Sequence, residues 1–223
     1  MRKELESLLP ELELAYSRSD IAALCREKSW NWGFSLITTN LTVKRTLILG
    51  FNWGAAEVDS YTSQHSIEAE SFLDQDLGSF SRIIPYCDKY MGNGALMDAS
   101  QSNYCFFRSK TESQISSKGI QLCEPVFNKM LGLLQPSAIL CFSSRLRDYL
   151  AGRDIVSNLL EQEIKFKRGA TQIVYEAKKG ILNGDCRIYF LPHPNYPMKK
   201  AAREQAWAFC FGGQQQDSEI EPN

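Results

Sequence analysis

Residues 46–54 read TLILGFNWG. Thr46-Leu-Ile-Leu49 is apolar at successive positions, so a strand there hides both faces from water, as parallel strands covered by helices do. The strand is expected to end at Gly50. Two more runs share this character, Tyr104-Cys-Phe-Phe107 and Ala138-Ile-Leu-Cys-Phe142. Between them, Ile120, Cys123, Phe127, Met130, Leu131 and Leu134 recur at helical spacing, which predicts a helix over 117–134 that stops at Gln135-Pro136. Ser143 or Ser144 is placed to cap a following helix, RLRDYLAG. Gln172–Glu176 and Arg187–Leu191 read as strands flanking ILNGDC, whose Asn183-Gly184 is a hairpin signal. A last helix is expected from about Pro197 to Phe211. Residues 2–28 read as helical, with Ser19-Asp20 as a cap, and 67–91 as one or two helices. Strands alternating with helices predict an α/β three-layer sandwich with a central, mainly parallel sheet.

The chain has 223 residues, 43% hydrophobic and 23% charged, with a net charge of −1. A uniformly basic nucleic-acid coat is therefore excluded, although a local basic patch is not. No apolar run reaches the ~18–20 residues of a membrane span. The N-terminus is acidic and interrupted by Pro10, unlike a secretory signal, so a cytoplasmic location is expected. The seven cysteines are odd in number, scattered, and without a CxxC pair, and they read as reduced core residues.

In such sheets ligands bind beyond the carboxyl ends of the strands, which directs attention to three segments. The first is Gly50-Phe-Asn-Trp-Gly54, in which Asn52 is either a polar site residue or a cap of a strand-to-helix turn. The second surrounds Asn103, whose amide has both donors and acceptors and so can read a base edge or bond its own backbone. The third is His193-Pro-Asn-Tyr-Pro197. Flanking prolines stiffen the backbone at His193, which suits a donor that must point one way, or simply a rigid packed loop.

Taken in order, these three segments resemble the uracil-DNA glycosylase superfamily, as does the run Cys123-Glu-Pro-Val-Phe followed by Leu-Gln-Pro-Ser-Ala-Ile-Leu. The resemblance covers roughly residues 44–211. It implies a monofunctional DNA glycosylase that hydrolyses the N-glycosidic bond of uracil or a related damaged base, with DNA as partner and no cofactor. Asn52 matches the position that places the attacking water. The most efficient members carry Asp there, and the mismatch-specific and single-strand-selective members carry Asn. Gly54 matches the glycine that admits the nucleotide, Asn103 the reader of the pyrimidine edge, and His193 the donor to the departing base. Phe72 matches the ring that stacks on the flipped base, and Trp53 is a second candidate for stacking. Tyr196 and Met198 stand where the family inserts an apolar wedge, and Lys199, Lys200 and Arg203 follow as phosphate contacts.

Two positions depart from the pattern: Trp53 replaces a Pro and Asn195 replaces a Ser. Some members hold an iron–sulfur cluster on four cysteines. Cys105 and Cys123 lie near two of those places, but the N-terminal CxxC is missing, so neither cluster nor metal is expected. The organisation expected is a helical extension over 1–43, a glycosylase-like domain over 44–211 and a disordered tail over 212–223. The same fold without chemistry, as a module binding nucleotide, single-stranded nucleic acid or a protein partner, is the competing expectation.

Overall fold

A computed structural model describes residues 1–37, 41–55, 78–153 and 155–212. The strands are β1 (Thr46–Gly54), β2 (Ser100–Ser109), β3 (Ala138–Cys141), β4 (Val156–Arg168), β5 (Thr171–Leu182) and β6 (Cys186–Phe190). They are hydrogen-bonded in the order β2-β1-β3-β6-β5-β4, so the protein is α/β with a six-stranded sheet. β1 and β2 run parallel, whereas β5 runs antiparallel to both β4 and β6. No helix among the described residues is long and apolar enough to cross a membrane. The chain divides into two compact units, Met1–Leu77 with Met97–Leu140, and Gly78–Leu96 with Cys141–Asn223.

In the first unit, the N-terminal segment folds as α1 (Arg2–Glu6), α2 (Leu9–Ser17) and α3 (Asp20–Lys28). The Ser19 hydroxyl accepts from the Ala22 amide and caps α3. Residue 43 does not divide units: α1–α3 bury Leu5, Leu12 and Ile21 within the same unit as β1 and β2. The helix α5 (Ser117–Leu134) matches its expected bounds. Ser116 caps its start and left-handed Gln135 ends it. Its apolar stripe is buried, with Phe127 packed on Tyr104 of β2 at 4.4 Å between ring centroids. Both strands outrun their expected lengths. β1 continues through Gly50 to Gly54, because Asn52, Trp53 and Gly54 still find partners at Cys105, Arg108 and Ser109 of β2. The register shifts between Asn52 and Trp53. Isolated bridges tie Phe34 to Phe107 and Ile37 to Ser102, so residues 34–37 cover the edge that β2 otherwise exposes.

The second unit holds a 3-10 turn (Gly78–Ile83), α4 (Ile84–Met91), α6 (Ser144–Ala151), β4–β6 and α7 (Lys200–Phe211). Ser143 is the residue that caps α6, accepting from the Leu146 amide. The hairpin at Asn183-Gly184 forms, with φ of 52° and 91° at those residues. β4 was not apparent in the sequence. It is an edge strand whose residues Ser157 to Glu163 are largely exposed, and its alternation becomes visible only at Ile164 and Phe166. Those two side chains join Tyr175, Ala177, Ala202 and Ala206 in a small core beneath α7. Trp207 of α7 is fully buried and stacks on Tyr86, 5.4 Å away.

Candidate functional site

The first unit positions Asn52 and Asn103. Asn52 is half-buried. Its Nδ2 donates to the Trp53 carbonyl and to Ser109 Oγ, each at 2.8 Å. A carbonyl accepts only, so the amide can face it only with nitrogen, which leaves Oδ1 as an acceptor. Ser109 is held in turn by its own donation to the Thr111 carbonyl. Gly50 and Asn103 are register partners on adjacent strands. A Cβ at residue 50 would lie 2.1 Å from Asn103 Oδ1, so Gly50 is the room the buried Asn103 amide occupies. The expected use of Gly50 as the start of a loop is thereby corrected. At Gly54 a Cβ would meet nothing within 4 Å, and the backbone there is approachable.

Trp53 has a different role from the stacking ring expected. It is buried, and its Nε1 donates to the Ser35 carbonyl at 2.5 Å. Ser35 Oγ also accepts from Arg108 Nη2 at 2.7 Å. The indole therefore fastens residue 35 to β1 and is not available to stack on a ligand. Phe72 lies outside the described residues.

The second unit positions the His193 loop. The Leu191 amide donates to the Cys141 carbonyl and anchors the loop's start. The Asn195 amide donates to His193 Nδ1 at 3.1 Å. A backbone N–H is an obligatory donor, so Nδ1 carries no proton and the neutral ring bears its hydrogen on Nε2. This bond comes from the backbone, so the replacement of Ser by Asn at 195 leaves it intact. The Asn195 side chain instead accepts from Arg82 Nη1 at 3.0 Å. The residue His193 is exposed, but its ring is partly screened from water and feels the Arg203 charge. Screening first, and Arg203 second, hold its pKa below the usual imidazole value.

Arg203 is not a phosphate contact. It is buried, and Nη1 donates to the carbonyls of Pro192 and His193, both at 3.1 Å. Nη2 donates to those of Pro194 at 3.3 Å and Tyr196 at 2.8 Å. One guanidinium thus holds the whole turn. The same helix start leaves Lys199 and Lys200 exposed, as expected of phosphate contacts. Tyr196 and Met198 are half-buried against the core of Ile164, Phe166 and Tyr175 rather than projecting as a wedge. β4, unsuspected in the sequence, supplies the apolar surface that draws them in.

Two cavities flank this loop within the unit. One, of about 430 Å³, is lined by Phe142, Ser144, Arg147, Tyr175 and His193, among others. The other, of about 620 Å³, runs from Arg82 past Tyr196 and Met198 to Lys167 and Arg168. Sequence reading missed Ser35, Ser109, Arg82 and the Lys167-Arg168 pair. The hairpin-tip cations had a local signal, the Arg168-Gly169 step, since glycine accommodates the φ of 61° found there.

All seven cysteines are buried and none is in a disulfide. Burial pushes the thiols of Cys87 and Cys210 up to about 12, so they stay protonated. Among the described residues, no three His, Cys, Asp or Glu side chains group as metal ligands would. No family model matches the chain, and no curated protein matches its sequence.

Proposed function

We propose that the protein is a monofunctional DNA glycosylase that releases uracil or a related damaged base. The observation that carries this reading is the His193 loop. Its imidazole is neutral, its proton sits on Nε2 through the Asn195 amide, and Arg203 fixes the backbone that bears it. When the C1′–N bond breaks, its electron pair goes to the base and places negative charge on the uracil O2. A preorganised Nε2–H aimed at that oxygen is worth roughly 3–4 kcal/mol, by analogy with an oxyanion hole. Water adds to C1′, its proton passes to solvent, and the base leaves with an abasic site behind. The resemblance assigns Asn52 to orient that water; an amide oxygen can accept a hydrogen from water but cannot deprotonate it. That is enough only for a reaction whose transition state is largely cationic at the sugar. Asn103 takes the role of reader of the base edge that the resemblance assigns to it.

The competing reading, a glycosylase-fold module that binds nucleotide, single-stranded nucleic acid or a protein without chemistry, is favoured by Trp53. Its ring is committed to the first unit's interior. The test is incubation with labelled oligonucleotides carrying one uracil, single-stranded and opposite G or A, followed by alkali. His193→Ala is run in parallel. Strand cleavage that the variant loses supports the glycosylase. Cleavage that the variant keeps removes His193 from the chemistry. Absence of cleavage on uracil and other damaged bases, with oligonucleotide binding retained, selects the binding module.

A further inference from the structure

The cavity of about 620 Å³ beside the His193 loop has an unusual wall. Its lining carries Arg82, Lys167, Arg168, Lys199, Lys200 and Arg203, and no acidic residue, in a chain of net charge −1. Several lysines elsewhere are paired with carboxylates. Lys129 meets Glu11, Lys178 meets Glu161, and Lys165 meets Glu163 on the same strand as Lys167. At the tip of the β4–β5 hairpin this pairing stops. Among the described residues, Lys167, Arg168, Lys199 and Lys200 are exposed and form no ion pair, and Arg82 donates only to the neutral Asn195 amide. Four like charges on one wall, with Glu204 near Lys200 as a counter-charge outside that lining, favour an anion that spans them.

The cations come from two distinct chain segments that face a common groove. One is the two-residue turn Gly169-Ala170, flanked by Arg168 paired with Thr171, which ends the long β4–β5 ladder. The other is the start of α7, directly after the His193 loop. Phe166, Tyr196 and Met198 line the groove between them. Phe166 and Tyr196 lie edge to face, with centroids 6.5 Å apart. Cations on two facing chain segments suit a chain of repeated phosphates better than a single small anion.

We propose that the β4–β5 hairpin tip is a phosphate clamp. Lys167 and Arg168 grip the backbone of a nucleic-acid strand opposite Lys199 and Lys200, and the strand lies along the groove beside the His193 loop. The clamp rests on the nucleic-acid partner of the proposed function, not on base release.

The experiment is fluorescence anisotropy with fluorescein-labelled oligonucleotides, single-stranded and duplex, across a series of salt concentrations. The hairpin variant K167E/R168E is compared with wild type and with K3E/R18E, which makes the same charge change on exposed residues of the first unit. The salt slope for single strands should fall by about 1.4, since each phosphate contact contributes about 0.7. Affinity should drop by about tenfold or more, while K3E/R18E should change the slope little. Circular dichroism and thermal melting show whether the variants remain folded, and K167A/R168A at the same tip should give a smaller loss in the same direction. An unchanged slope in folded K167E/R168E overturns the clamp, as does an equal loss in K3E/R18E. Binding to anionic vesicles without binding to oligonucleotides overturns it too. Hairpin-dependent binding with no base release leaves the clamp standing and refutes the glycosylase. Base release with hairpin-independent binding does the reverse.

Discussion

Replacing Arg203 by methionine should loosen the loop that carries His193 and destabilise the protein severely. The replacement is unbranched like the stem of arginine, but it is shorter and has no donor. Four carbonyls lose a partner, those of Pro192, His193, Pro194 and Tyr196. The bonds to Pro192 and Pro194 are buried, and their acceptors cannot recover water without the loop opening. Those to His193 and Tyr196 are partly buried and regain some hydration. Counting only the two buried bonds, at about 1.5–3 kcal/mol for a charged donor, gives a loss of about 3–6 kcal/mol. Among the described residues no carboxylate pairs with Arg203, so removing the guanidinium strands no opposite charge to enlarge this figure. For a chain of this length, the melting temperature should fall by roughly 6–24 °C. Thermal unfolding followed by circular dichroism reads the effect, and urea titration should show a lower midpoint. Arg203→Lys should recover only part of the loss, because one compact ammonium cannot serve four acceptors spread around a turn. A melting temperature for R203M within about 2 °C of wild type would refute the account, since a shift that small corresponds to under 1 kcal/mol.

Three further outcomes follow from other contacts. Gly50→Ala places a methyl 2.1 Å from Asn103 Oδ1 and should cost about 1–3 kcal/mol by overpacking, read as a lower melting temperature, and unchanged melting would contradict it. Asn52→Asp should lower stability by about 2–3 kcal/mol at neutral pH, because it turns a carboxylate oxygen toward the Trp53 carbonyl that the amide now serves. The new carboxyl's pKa would be raised in the fold, so this penalty should shrink in acid, where the group is protonated, and grow as pH rises through the folded pKa. A pH-independent difference between variant and wild type would count against that geometry. Finally, the Cε1–H of His193, followed by NMR, should titrate below the ordinary imidazole value of about 6.5. Its neutral form is favoured in the fold, so its contribution to stability is present above the unfolded value and lost as pH falls through the folded one. R203M should move the titration upward, and a wild-type midpoint at or above the ordinary value would contradict the screening described.

Much of the architecture could be read from short stretches because its causes are local. The helix α5 starts where Ser116 can accept an amide and ends where Gln135 turns left-handed before Pro136. Asn183-Gly184 forms its turn with the positive φ angles that those residue types tolerate. The burial of β2 and β3 follows from unbroken apolar runs, and Ser143 caps α6 from the adjacent position. Each of these needs only neighbours a few residues away. The edge strand β4 escaped because most of its early side chains stay in water and leave no apolar period to detect.

The identities of the polar site candidates were legible, but their roles were not. Asn52 is oriented by Ser109, 57 residues further along the chain. Gly50 matters because Asn103 stands opposite it across two parallel strands. Trp53 and Arg203 look like a ligand-stacking ring and a phosphate contact until their donors are seen to close on Ser35 and on four loop carbonyls. Lys199, Lys200 and Arg203 have the same charge within one turn and a half of helix. Only the phase of α7 against the His193 loop separates the buried staple from the exposed cations. Composition and periodicity can place an element and mark which residues are chemically capable. Which acceptor a donor meets depends on positions far apart in sequence, and only the folded chain brings those together.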